Sequence, residues 1–318
     1  MRSRLGAVAA VVARSTISRV FVVVALLAFA CKTAPTKPTT GLSPAVQATA
    51  RFAQAAATVT GQKSPMADAA EKGKHLGFDT YKYPGTEIMK IWKNTPGSPY
   101  KWVGFYLPSP CHSGMTWHGK RDTLVALGWG LAAIYVGQQT WGKTPRRLTS
   151  AQQAALRKRD DCSQDLLSAE EGRLNADDAV KVASAEGFPK GAHIFLDIER
   201  METIPKQMQE YYLAWVNRML ETGQYLPAIY THRHNAAEIF ADVDGAFKAA
   251  GRTDVPRFWI AGGKNFDEGA APQDVGFAFA GVWQGILDVA RSVAQVKLPI
   301  DVNVAAWRSP SESGVTTE

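Results

Sequence analysis

The chain has 318 residues, 46% of them hydrophobic, and a formal net charge of +7, which is enough apolar material for one barrel-sized domain with a large core. The excess charge is confined to the beginning: residues 1–73 hold nine Lys/Arg against two acids, and residues 74–318 carry equal numbers of each. This excludes nucleic acid as the expected partner, since a binding domain would carry its own basic face.

Arg2, Arg4, Arg14 and Arg19 precede an apolar run of 11 residues, Val20 to Ala30, that ends at Cys31. A bilayer-spanning helix needs about 20 residues, so the run is predicted to be the h-region of a secretory signal covering residues 1–31. Leu27-Ala28-Phe29-Ala30-Cys31 resembles a bacterial lipobox, which implies a lipid on Cys31 and an exported, membrane-anchored lipoprotein of the cell envelope. Ala28-Phe29-Ala30 also fits ordinary signal cleavage. Residues 32–73, rich in Ala, Thr, Pro and Gln, read as a flexible tether. Cys111 and Cys162 remain, an even pair in an oxidising compartment, and are expected to form a disulfide. Two unpaired buried thiols are the alternative.

From residue 74 short apolar runs alternate with helical stretches, the rhythm of a parallel α/β sheet or barrel. The predicted strands are Leu76–Thr80, Lys101–Leu107, Gly130–Val136, His193–Glu199, Leu226–Thr231, Phe258–Ala261, Ala280–Gln284 and Ile300–Val304. The predicted helices are Thr86–Lys93, Arg121–Leu127, Ser150–Arg159, Asn175–Glu186 with Asn175 as N-cap, Ile204–Thr222 and Asn235–Ala250. The aromatics Tyr211, Tyr212 and Trp215 fall at helical spacing and read as core. Eight strands with mostly helical connections predict an α/β fold, a (β/α)8-like TIM barrel over residues 74–308, irregular at its C-terminal end. The tail, 309–318, is expected to be disordered.

Carboxylates and aromatics recur where these strands end. Asp197 and Glu199 are two apart on one strand, so they share a face about 7 Å apart at the backbone. Asp79 ends the first strand and Asp301 lies in the eighth, neighbours once a barrel closes. Tyr106, Tyr135, Tyr230, Trp259 and Trp283 fall at or near the ends of five other strands. In parallel barrel order these residues converge on one mouth. Acids below and aromatic rings around them suit a sugar, because glycosidic cleavage uses paired carboxyl groups and aromatic faces bury the CH surface of pyranose rings.

The ordered set Gly77-Phe78-Asp79, Leu196-Asp197-Ile198-Glu199, Ile229-Tyr230-Thr231, Trp259-Ile260-Ala261, Trp283-Gln284 and Ile300-Asp301-Val302-Asn303 resembles the glycoside hydrolase family 25 lysozymes. Gly130–Gln139 and Ala176–Ile198 are more similar to a sister family, the glycoside hydrolase-like domains of exported bacterial proteins. The resemblance covers about residues 75–306. It implies a barrel acting on peptidoglycan or a related glycan, with Glu199 as general acid, Asp197 as its partner, and Asp79 and Asp301 flanking. Tyr106, Tyr135, Tyr230, Trp259, Trp283 and Gln284 are the expected substrate contacts. Two departures stand out: Thr80-Tyr81-Lys82-Tyr83-Pro84 follows the first aspartate, and Gly285, not an aromatic, follows Trp283-Gln284. His112/His118 and His232/His234 lack a third ligand at fixed spacing, so no metal and no cofactor is expected. A non-catalytic glycan-binding or envelope-organising protein with the same barrel is the competing expectation. Glu199 distinguishes the two: open in a cleft for hydrolysis, sealed or paired with Lys82 or an arginine for binding alone.

Overall fold

A computed structural model describes residues 72–312; the predicted signal, Cys31, residues 32–71 of the tether and the end of the tail lie outside them. Eight strands close a barrel in chain order: β1 (Lys72–Asp79), β2 (Trp102–Tyr106), β3 (Gly130–Val136), β4 (His193–Ile198), β5 (Leu226–His232), β6 (Arg257–Ala261), β7 (Ala280–Val293) and β8 (Val296–Trp307). Six helices interleave: α1 (Thr86–Asn94), α2 (Arg121–Ala126), α3 (Ser150–Arg157), α4 (Ala169–Ala185), α5 (Lys206–Thr222) and α6 (Ala236–Ala249). Strands β1 to β7 pair in parallel, and β8 runs antiparallel to both β7 and β1. The α/β barrel expected from the sequence is thus present, with its irregularity at the C-terminal end. Every residue of β3 and β4 is buried, as strands covered by helices outside and by packed side chains inside must be.

The last two strands are longer than their sequence predicts. An antiparallel pair needs no crossover helix, so β7 and β8 continue past the barrel and turn at Ala294 and Gln295, both at positive φ. Register shifts between Gln284 and Val289 bend this ribbon. Val293 and Leu298 are buried in it, and Trp92 of α1 donates its indole N–H to Val296 O at 3.1 Å. The ribbon therefore packs against α1 and gives β8 an apolar cover where no helix precedes it.

Helix α4 begins six residues before the predicted start. Ser168 is its N-cap, accepting from Glu171 N, with Glu170 and Glu171 in the first turn, where carboxylates meet the positive end of the helix dipole. Asn175 is not a cap. It lies buried inside the helix, taking a hydrogen bond from Tyr211 Oη at 2.7 Å and giving one to Glu171 at 3.0 Å. Gly172 lets α4 and α5 meet there, because a Cβ would lie 2.2 Å from Tyr211 O.

The tail also departs from expectation between residues 309 and 312. Ser309 and Ser311 are buried at the floor of the barrel, the end where the parallel strands begin. Their side chains accept from Leu131 N and Ala133 N, and Ser311 O accepts from His193 N. The segment so caps backbone groups of β3 and β4, and Arg121 pairs with Glu312 at 2.7 Å. At the same end β1 enters, Lys72 standing opposite Trp307.

Candidate functional site

Inward-facing residues fill the barrel in layers. Trp102, Phe195 and Trp259 meet edge-to-face beneath the mouth, with ring centroids 5.4 and 5.7 Å apart. Gly77 makes room for the first, since a Cβ there would lie 2.2 Å from the Trp102 ring. Above this apolar floor sit the acids. Asp79, 3% exposed, accepts three hydrogen bonds at 2.9 Å: Tyr106 Oη on Oδ1, and Gln284 Nε2 and Asn303 Nδ2 on Oδ2. Tyr230 Oη donates to Gln284 Oε1 at 2.7 Å, and Trp259 Nε1 to Asn303 Oδ1 at 2.9 Å. One network thus ties the floor to the acids. Burial, and then the charge of Asp301, push Asp79 up to about 7 against the pull of its three donors.

Asp301 is half-buried, accepts from Asp288 N at 2.6 Å, and is raised by burial and by the Asp288 charge. Asp197 is buried, and its Oδ1 has no hydrogen-bond partner. Burial first, then Glu199 and Asp79, hold its pKa well above the ordinary carboxylate range. Glu199, one residue beyond β4, is exposed. Enough protein surrounds its carboxyl for desolvation to lead in raising its pKa, helped by Asp301 and opposed by a hydrogen bond from the Arg200 backbone. Among the described residues no ion pair involves Glu199, Asp197, Asp79 or Asp301, and none joins Lys82 to a site acid.

All four predicted acids and two of the predicted aromatics, Tyr106 and Tyr230, therefore share the mouth. Gln284 belongs to the network but is buried beneath it. Three aromatics take other places. Trp259 is part of the floor. Tyr135 points out of the barrel, where its hydroxyl donates to Asp178 of α4 at 3.0 Å. Trp283 also points outward, donating to Gly262 O at 2.7 Å and packing against Phe266. Strand alternation accounts for both: each is one residue out of phase with the inward-facing set. Phe266 also explains Gly285, because a Cβ at that position would lie 1.8 Å from its ring.

Three contributors escape sequence reasoning. Gln139, buried just past β3, donates to Asp197 O at 2.7 Å and accepts from Glu199 N at 3.1 Å, so one amide fixes the backbone on both sides of the strand end. Asn303 is two residues from Asp301, and strand alternation alone would have placed it inside. His112 is buried between Tyr106 and Tyr81, at centroid distances of 4.8 and 4.3 Å, with its pKa lowered by burial. The loop carrying it is held by the Cys111–Cys162 disulfide, Cα–Cα 4.9 Å, the pairing expected from the sequence. His118 is instead taken up by Glu186.

A cleft of about 420 Å³ opens at this mouth, lined by Asp79, Tyr81, Lys82, Tyr106, Asp288 and Asp301 among others. Asp197 and Glu199 do not line it. It lies over the β1–β8 side of the mouth, while the Asp197–Glu199 strand end stands at β4.

Similar folds occur among solved structures. An uncharacterized B. stearothermophilus protein matches at 20% identity and TM-score 0.46, over 73% of this chain and 95% of that one. The Mycobacterium tuberculosis Tat-secreted protein Rv2525c matches at 15% identity and TM-score 0.44, over 76% and 100%. The Clostridium perfringens spore cortex lytic enzyme SleM matches at 13% identity and TM-score 0.42, over 77% and 68%. Likenesses this distant assign neither substrate nor chemistry. A search of curated proteins returned no match. The model of the Rv2525c-like, glycoside hydrolase-like domain matches residues 92–304, more than half of the sequence and the barrel from β2 into β8, and the chain belongs to that family.

Proposed function

We propose that this protein is a cell-envelope glycoside hydrolase acting on a bacterial glycan, with peptidoglycan the leading substrate. The supporting observation is the state of Glu199: exposed, free of any ion pair among the described residues, and raised in pKa beside the buried Asp197. A carboxyl of this kind keeps a proton to give. In the proposed reaction Glu199 protonates the glycosidic oxygen as the C1–O bond breaks. Positive charge developing at C1 is met by a substrate acetamido oxygen, whose amide N–H the unpartnered Oδ1 of Asp197 can accept. Water then adds at C1 and returns a proton to Glu199. Asp301 opposes early loss of the Glu199 proton, and Asp79 acts in the same sense on Asp197.

Digestion of peptidoglycan by wild type and Glu199→Gln, scored by release of reducing ends, tests this. Release by wild type and its loss in the variant is the expected result; equal release, or none by either across several glycans, sinks the enzymatic reading. In that event a glycan-binding protein is the second reading. It is favoured by one observation: the cleft is lined by Asp79 and Asp301 without Asp197 or Glu199.

Export and anchoring belong to the same proposal and rest on the leader and on Cys31. Cys31→Ala is expected to shift the protein from the membrane fraction to the soluble one. Identical partitioning of the two would remove the lipid anchor from the proposal.

A further inference from the structure

Seven of the nine tryptophans are buried, and Trp307 is half-buried beneath Arg257; Trp141 stands exposed, at 51%. Its backbone is equally unusual. Trp141 has φ 50° and Gly142 φ 71°, and Lys143 N donates to Thr140 O at 2.9 Å. This is a tight turn with both central residues left-handed, a conformation that Gly, Asn and Asp occupy readily and a bulky residue does not. The indole forgoes burial and makes no hydrogen bond or ring contact among the described residues. Half of its large apolar surface is left to solvent, on a backbone conformation that disfavours a bulky side chain. Strain of this kind concentrates at functional sites.

Its location supplies the reason. Trp141 follows Gln139 by two residues, about 7 Å of chain at most, and Gln139 is the side chain that fixes the backbone of Asp197 and Glu199. Trp141 therefore belongs to the loop after β3, two residues past the side chain that holds the Asp197–Glu199 backbone. On the β1 edge Tyr81 is also exposed, at 52%, and walls the cleft. Tyr81 shares that cleft with Asp79 and Asp301.

We infer that Trp141 is a stacking platform for a pyranose ring bound beside Glu199, with Tyr81 its counterpart, so that a glycan crosses the mouth from the β3 loop to the β1–β8 cleft. An indole face laid on the CH face of a sugar buries apolar surface on both partners without adding charge. Trp141 and Tyr81 thereby take the role that Tyr135, Trp259 and Trp283 cannot take from inside the protein. The inference rests on the mouth being a glycan site and does not require that the glycan be cut.

The test uses the full chain carrying Glu199→Gln, so that ligand persists, and soluble peptidoglycan fragments built of the N-acetylglucosamine–N-acetylmuramic acid repeat. Binding should shift tryptophan emission to the blue and reduce acrylamide quenching, because Trp141 is the most exposed of the indoles and seven others are buried. Adding Trp141→Asn, which suits the turn, should leave the melting temperature no lower and weaken binding about tenfold by calorimetry. Equal affinity with and without Trp141→Asn, with emission unmoved, would overturn the inference and leave the glycan site standing. Failure of the parent to bind any fragment would overturn the glycan site itself, and this inference with it.

Discussion

Asp79 and Asp301 stand directly opposite each other on the antiparallel β1 and β8, and one amide nitrogen, Gln284 Nε2, donates to both, at 2.9 and 3.2 Å. The shared donor pulls Asp79 down, but burial first and then the Asp301 charge outweigh it, while burial and the Asp288 charge raise Asp301. Asp79, raised from 3.8 to about 7, sets a direction for stability. A carboxyl whose folded pKa exceeds its unfolded value favours the fold below the unfolded pKa, and that contribution is lost as pH rises through the folded one. Stability from this group should therefore fall between about pH 4 and 7. Asp79→Asn keeps the network, with its oxygen accepting from Gln284 and Asn303 and its nitrogen donating to Tyr106. Urea melts should show a flatter pH profile for the variant and, at pH 8, a gain of up to about 4 kcal/mol.

Glu199→Gln removes the proposed proton donor without changing its size. A general acid contributes about 10²- to 10⁴-fold, and kcat on peptidoglycan should drop within that range with the fold unchanged by circular dichroism. In wild type the alkaline limb should lie above the ordinary glutamate range, as the raised pKa of Glu199 requires, and should vanish from the residual activity of the variant.

Gln139→Ala leaves Asp197 O and Glu199 N without the amide that joins them. Its cost in stability should be about 1–3 kcal/mol. Turnover should suffer more than KM, because the change misplaces the acid and leaves the rest of the mouth intact. An effect on KM alone would assign Gln139 to substrate binding.

Gly104→Ala tests how closely the site is packed. A Cβ at Gly104 would fall 2.6 Å from Asp79 Cβ, and both side chains sit inside the barrel with little room to move. A loss of about 1–3 kcal/mol is expected, together with a shift in the pH profile of stability that follows displacement of Asp79.

The Cys111–Cys162 bond closes a loop of 51 residues, for which chain entropy predicts about 4 kcal/mol. Paired Cys111→Ser and Cys162→Ser changes should lower the melting temperature. They should also raise KM, because the bond holds the loop that buries His112 against Tyr106.

The barrel was legible because eight apolar runs fell between helical stretches, and because β3 and β4 are buried on both faces and read as continuous hydrophobic segments. The acids were legible through period-two spacing and strand order. The aromatics were only half legible: a ring near a strand end faces the mouth or the helices according to a one-residue difference in phase, and Tyr135 and Trp283 fell on the outer face. Gln139 carried no signal beyond following a strand, and its role depends on a contact 60 residues away in sequence. The start of α4 was hidden because Glu170, Glu171 and Arg173 make its first turns look like loop, although Ser168 marks the cap.

The entry of β1 at the floor has a directional consequence. Lys72, where the described residues begin, lies on the side opposite the acids. A ligand can therefore approach the acids without passing the strand end at which the described chain begins.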